Sequence, residues 1–166
     1  SWHQNRISSL ITKKLFGTLS SKKIIILGFA FKADTNDTRE SAAIQICKDL
    51  IEEGASLLIH DPKVCEEQIA CDLNLKPQVL NTDNKAVTPV QGSWIYVSDI
   101  YESFFNADAI VILTEWNEYN SINWSIAEER MRKPAWIFYS RSIIEPSTIK
   151  DTKFNLWRIG DGFSKI

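Results

Sequence analysis

The stretch SKKIIILGFAFKADTNDTRES, residues 21–41, holds a charged lead-in, an apolar run, a single glycine and then a polar turn. Ile24 to Leu27 is apolar without alternation, as a strand buried on both faces requires, because a strand with one wet face would alternate. Beyond the turn, Ile44, Cys47, Leu50 and Ile51 recur at helical spacing as far as Gly54, and Asp37 with Glu40 three residues later resembles a capping pair at the helix start. ASLLIHDP (55–62) reads as a second strand closed by Asp61 and Pro62. Strand, helix and strand in this order form a βαβ unit, which predicts a parallel pair.

Working outward, residues 2–16 place Ile7, Leu10, Ile11 and Leu15 on one helical face, with Gly17 as the stop. A short helix is predicted within 63–73, a surface loop over 74–93, a third strand at WIYV (94–97) and a helix near 99–106. Ala109 to Leu113 reads as a fourth strand and 123–131 as a helix. PAWIFYSR (134–141) gives a fifth strand, Pro146 to Lys150 a short helix, and FNLWRIG (154–160) a sixth strand. Strands alternating with helices predict an α/β fold, a Rossmann-like doubly wound and mainly parallel sheet of about six strands with helices on both faces.

At 166 residues, 44% hydrophobic and 24% charged, the chain has the composition of one globular domain. A net charge of −2 and a pI near 5.7 argue against a general nucleic-acid binder, so any anion site is local. No run approaches the ~20 apolar residues of a membrane span, and the N-terminus lacks a signal peptide's apolar core. A cytoplasmic protein is expected. The opening SWHQNR, without methionine, suggests a piece of a longer chain. Cys47, Cys65 and Cys71 show no CxxC spacing, and the only histidines are His3 and His60, so neither a zinc site nor a disulfide framework is expected.

In an open parallel sheet ligands bind beyond the carboxyl ends of the strands, near the point where strand order reverses, and the 28–41 turn lies at such an end. A dinucleotide GxGxxG is absent: Gly28 is followed by Phe29, Ala30, Phe31 and Lys32. Asp61 occupies the place of a ribose-binding acid, although an Asp-Pro step after a strand is more often only a turn. The turn offers cations instead of bare backbone. Lys32 is a flexible point charge, and Arg39, beside the next helix start, adds a two-pronged donor to the helix end, which together suit a diphosphate. The competing reading has Lys32 solvated and Arg39 paired with Asp34 or Asp37. Arg141, at the carboxyl end of the fifth predicted strand, adds a third cation to the same edge. Trp116, Trp124 and Trp136 could stack on a base, but their places in or beside buried strands make them core residues first.

These residues carry a likeness. GFAFK followed by DTNDTRES (28–32 and 34–41), HDPKV (60–64), TEW (114–116) and KPAWIF (133–138) closely resemble the C-terminal UDP-binding domain of the UDP-glucose 6-dehydrogenases, a branch of the nucleotide-sugar dehydrogenases. The resemblance implies an enzyme that oxidises the C6 hydroxyl of UDP-glucose to a carboxylate, using two NAD and a thioester on a catalytic cysteine. It implies NAD bound mainly on an N-terminal domain, a central helical region with the cysteine and the dimer contacts, and a homo-oligomer. Residues 1–20 would then end the connection from that central region, and 21–166 would be the nucleotide-sugar domain. By the same resemblance Phe31, Lys32 and Arg141 contact the UDP-sugar and Arg39 reaches NAD. None of the three cysteines has the family's catalytic setting, so this piece alone should be inactive. Where the family usually has DGR, this chain has Tyr139, Ser140 and Arg141. That departure leaves open a sister enzyme acting on UDP-N-acetylmannosamine or GDP-mannose, or a non-catalytic nucleotide-sugar-binding module.

Overall fold

The computed structural model describes residues 2–15, 17–79, 89–140, 149 and 151–159. Six strands form one sheet: β1 (Lys23–Leu27), β2 (Ser56–His60), β3 (Trp94–Tyr96), β4 (Ala109–Ile112), β5 (Trp136–Ser140) and β6 (Asn155–Ile159). Their order is β3-β2-β1-β4-β5-β6 and all five pairings are parallel, so the sheet is doubly wound and Rossmann-like, as the alternating pattern predicts. Ile24 to Leu27 are fully buried at its centre. Each such side chain contributes about 1.5–3 kcal/mol relative to an exposed one, which explains the unbroken apolar run.

The helices are α1 (Trp2–Lys14), α2 (Ala42–Glu52), α3 (Glu66–Leu73), α4 (Ile100–Ser103) and α5 (Trp124–Arg130). The strand order turns back between β1 and β4, so right-handed crossovers put α2 and α3 on one face and α5 on the other. α1 buries Ile7 and Ile11, with Leu15 buried just past its end, and packs beside α2, where the Ser8 hydroxyl donates to Asp49 Oδ2 at 3.1 Å. Its last residue, Lys14, lies over the Trp157 ring at 4.2 Å from the centroid, which ties the helix to the β6 side of the sheet.

One local reading changes. α2 starts at Ala42, not at an Asp37/Glu40 capping pair, because Glu40 has φ +63° and turns the chain out of the helical path. Ser41 is the cap instead, its hydroxyl accepting from the Ala43 N–H. A 3₁₀ turn over Asn117–Ser121 also appears, which the sequence periodicity did not indicate. The predicted helix at Pro146 to Lys150 lies, Ile149 apart, outside the described residues. Among the described residues no helix is long and apolar enough to cross a membrane.

Candidate functional site

Register brings three distant stretches to one point. Leu27, the last residue of β1, pairs with His60 on one side and Ile112 on the other. Gly28, Asp61 and the segment running to Thr114 therefore leave the sheet side by side at the carboxyl ends of β1, β2 and β4.

Gly28 has φ +97°, and a Cβ there would lie 2.4 Å from Thr114 Cβ and 2.6 Å from Thr114 N. Only glycine fits so close an approach at that angle. The absent side chain lets Thr114 reach in and donate its hydroxyl to the Ala30 carbonyl at 2.8 Å.

Asp61, 1% exposed, holds the same turn from the β2 side. Its Oδ2 accepts the N–H groups of Phe29 at 2.7 Å and Ala30 at 2.9 Å, together with the Trp116 indole N–H at 3.1 Å. Its Oδ1 accepts from the Lys63 and Val64 N–H groups at 2.9 and 3.0 Å. The Gly28 N–H goes to the His60 carbonyl and the Phe31 N–H to the Asp37 carbonyl, while the Ser41 hydroxyl donates to the Phe29 carbonyl. Every backbone N–H from Gly28 to Phe31 is thus bonded within the protein, and none of these four is left for a ligand.

Two predicted site residues are exposed beside these bonded groups. Phe31 is 50% exposed, unusual for a large apolar side chain, and Lys32 beside it is exposed. Arg39 takes the local pairing: its Nε and Nη2 donate to the two Asp37 oxygens at 3.1 and 2.9 Å, and its N–H donates to Oδ1. The pair is exposed, with the Arg39 side chain 88% accessible, so it is a solvated loop contact. Arg39 hydrogen bonds hold the Asp37 carboxyl down to about 2. Arg39 lies two residues before the α2 cap, outside the first helical turn. Arg141 lies outside the described residues.

Behind the turn, His60 Nδ1 is 2.9 Å from the Tyr119 hydroxyl, and burial lowers the imidazole against the opposing pull of Asp61. Trp116 and Trp124 are buried and Trp136 stacks on Phe138, so these rings belong to the packing. Cys47 is buried and burial pushes its thiol up, while Cys65 and Cys71 are free and exposed. Among the described residues no three His, Cys, Asp or Glu side chains are grouped to hold a metal.

A Rossmann-like sheet with a hydrogen-bonded, side-chain-bearing turn at its switch point is the frame of a nucleotide-binding domain without the dinucleotide loop. The family can be stated more closely: residues 25–146 match the model of the UDP-glucose/GDP-mannose dehydrogenase family, UDP binding domain, and the chain belongs to that family. It is 41% identical to UDP-glucose 6-dehydrogenase of Drosophila melanogaster over 99% of this chain and 33% of that one. It is 38% identical to UDP-glucose 6-dehydrogenase 4 of Arabidopsis thaliana over 96% of this chain and 34% of that one. The chain thus spans about a third of the length of these curated relatives. In fold it resembles the NDP-N-acetyl-D-galactosaminuronic acid dehydrogenase of Methanosarcina mazei Go1, with a TM-score of 0.67 and 24% identity over 95% of this chain and 28% of that one. It likewise resembles a UDP-glucose dehydrogenase of Pyrobaculum islandicum, with a TM-score of 0.64 and 21% identity over 98% of this chain and 30% of that one.

Sequence reasoning weighed Asp61 as a ribose-binding acid and Trp116 as a base-stacking ring, whereas here the Asp61 oxygens accept protein N–H groups, one of them the Trp116 indole; Thr114 and Ser41 were not weighed as site residues. Their bonds to the turn span 12 to 84 positions, beyond any local pattern. DTNDTRES, HDPKV and TEW contain all four residues as stretches of family likeness.

Proposed function

We propose that this chain is the UDP-sugar half of an NAD-dependent UDP-glucose 6-dehydrogenase, with residues 1–20 leading in from another part of the enzyme and 21–166 forming the binding domain. The observation that carries the proposal is the braced turn, which presents Phe31 and Lys32 outward beside an anchored glycine at the carboxyl edge of β1. Lys32 supplies a point charge to the diphosphate and Phe31 a flat apolar surface to the base or sugar. Arg141 completes the substrate contacts.

A dinucleotide does not fit the turn in the usual way, since Asp61 already takes the Phe29 and Ala30 N–H groups. NAD therefore belongs mainly to another part of the enzyme. Arg39, whose side chain is exposed, is left to approach it from the rim. The contribution of this chain is electrostatic positioning of the sugar nucleotide, with hydride transfer and the catalytic cysteine lying elsewhere. The full enzyme is a cytoplasmic homo-oligomer in this reading.

Calorimetric titration of the chain with UDP, UDP-glucose, UDP-N-acetylmannosamine and GDP-mannose tests the binding half. UDP and UDP-glucose should bind, and Lys32→Ala should weaken UDP by about 10–100-fold, the loss of one charge-assisted contact of ~1.5–3 kcal/mol. An unchanged Kd would remove Lys32 from the site. Tighter binding of GDP-mannose or UDP-N-acetylmannosamine would move the chain to a sister enzyme. The chain alone should produce no NADH from UDP-glucose and NAD, whereas the full-length enzyme should yield two NADH per sugar.

A further inference from the structure

We propose that Asp61 is a built-in anion: the chain's own carboxylate fills a nest of N–H groups at the carboxyl end of β1 and thereby sets where Phe31 and Lys32 stand. The affinity arm of this inference rests on the UDP-sugar reading above.

An Asp-Pro turn accounts for only half of what Asp61 does. The bonds from Lys63 and Val64 to Oδ1 are the local bonds by which an aspartate closes its own turn. The three donors on Oδ2 come from outside it: Phe29 and Ala30, 32 and 31 residues back, and the Trp116 indole, 55 residues ahead. Successive backbone N–H groups aimed at one point form an anion-binding concavity, and the turn after the first strand of a doubly wound sheet is where such groups commonly meet a ligand phosphate. Here the anion comes from β2 and is 1% exposed. Among the described residues no lysine, arginine or histidine forms an ion pair with it, so its charge is met by five N–H donors.

Two consequences follow for binding. The Phe29 and Ala30 N–H groups are not on offer to a phosphate, so the ligand's charge is displaced outward to side chains. The backbone leading directly into Phe31 and Lys32 is pinned by an interaction that touches no ligand. Asp61 is therefore a positioning residue.

The test uses the 166-residue chain, Asp61→Ala, which vacates the nest, and Asp61→Asn, which fills it with an amide that sets N–H against N–H. Thermal midpoint and UDP affinity are measured in buffer, in sodium formate, and in formamide as a neutral molecule of the same shape. Asp61→Ala should have a lowered midpoint and bind UDP about tenfold or more weakly. Formate should restore both, formamide neither, and the wild type should respond to neither additive. Asp61→Asn should lose UDP affinity to a similar extent without rescue by formate. A merely structural role would lower the midpoint without making recovery depend on the additive's charge. The inference is overturned if Asp61→Ala binds UDP as the wild type does, or if formate does no more than formamide. Should Asp61→Ala fold in no condition, Asp61→Asn decides, and an unchanged UDP affinity in it would overturn the inference. A wild-type chain that bound no UDP would sink the proposed function, leaving the formate effect on the midpoint to decide the nest.

Discussion

Replacing Gly28 by alanine should be among the most damaging single changes in the domain, and two separate effects add. Gly28 has φ +97°, and an L side chain in left-handed backbone costs roughly 1–2 kcal/mol. The new Cβ would lie 2.4, 2.5 and 2.6 Å from Thr114 Cβ, Oγ1 and N, where ordinary contact is about 3.5–4.0 Å. Moving a strand end or breaking the Thr114 bond to Ala30 to relieve that overlap costs about 1–3 kcal/mol more. The total of ~2–5 kcal/mol is a large share of the ~5–15 kcal/mol that holds a domain together. With a urea slope of about 2 kcal/mol/M, the unfolding midpoint should fall by about 1–2.5 M. Gly17→Ala is the matched control. Gly17 has φ +82° but nothing within 4 Å of an added Cβ, so only the backbone cost applies. The comparison isolates the clash. A Gly28→Ala protein no less stable than Gly17→Ala would refute the packing argument, and with it the claim that Thr114 braces the turn.

Two further predictions concern titration. Arg39 hydrogen bonds, from its side chain first and its backbone N–H second, hold the Asp37 carboxyl down to about 2 against its ordinary 3.8, so in Arg39→Ala, which keeps the backbone N–H, the Asp37 carbon resonance, followed by NMR, should titrate above its wild-type value and still below 3.8. The thermal midpoint should barely move, because the pair is solvent-exposed; a titration left near 2 would assign the shift to another cause. His60 is lowered from 6.5 by burial, so below that value the unfolded chain binds more protons and stability is lost as pH falls through the folded value. Between about pH 7 and pH 5 the midpoint should therefore drop more steeply in the wild type than in His60→Gln, and parallel slopes would show that the imidazole is not the group responsible.

The strands and their parallel pairing were legible because they follow from short-range pattern, whereas the order β3-β2-β1-β4-β5-β6 was not predicted. Short unbroken apolar runs at Ile24 to Leu27 and Ala109 to Ile112, bounded by turn residues, read as central strands, and helices between strands favour parallel pairing. The cap was misplaced because the competing conformation at Glu40, with φ +63°, is set by how the loop closes and not by a residue spacing. The hold of Asp61 on the 28–31 turn was not legible, and its place suggested a ribose-binding acid instead, since three of its five donors come from a strand end and a loop far away in sequence. Only register connects them, through Leu27 lying between His60 and Ile112.

That geometry divides the labour among residues in a way the likeness alone does not. GFAFK, HDPKV and TEW are three stretches in sequence but one object in space: Gly28 gives room to Thr114, while Asp61 gathers the turn's N–H groups and the Trp116 indole. Once those bonds are made, no N–H from Gly28 to Phe31 remains for a ligand, and what faces outward is Phe31 and Lys32. Changes at 28, 61 or 114 should then act on folding and on the placement of the turn, for any ligand. Changes at 31 or 32 should act on which ligand is held while leaving stability in place. A related enzyme that takes a different nucleotide sugar can therefore keep the brace and vary what it presents.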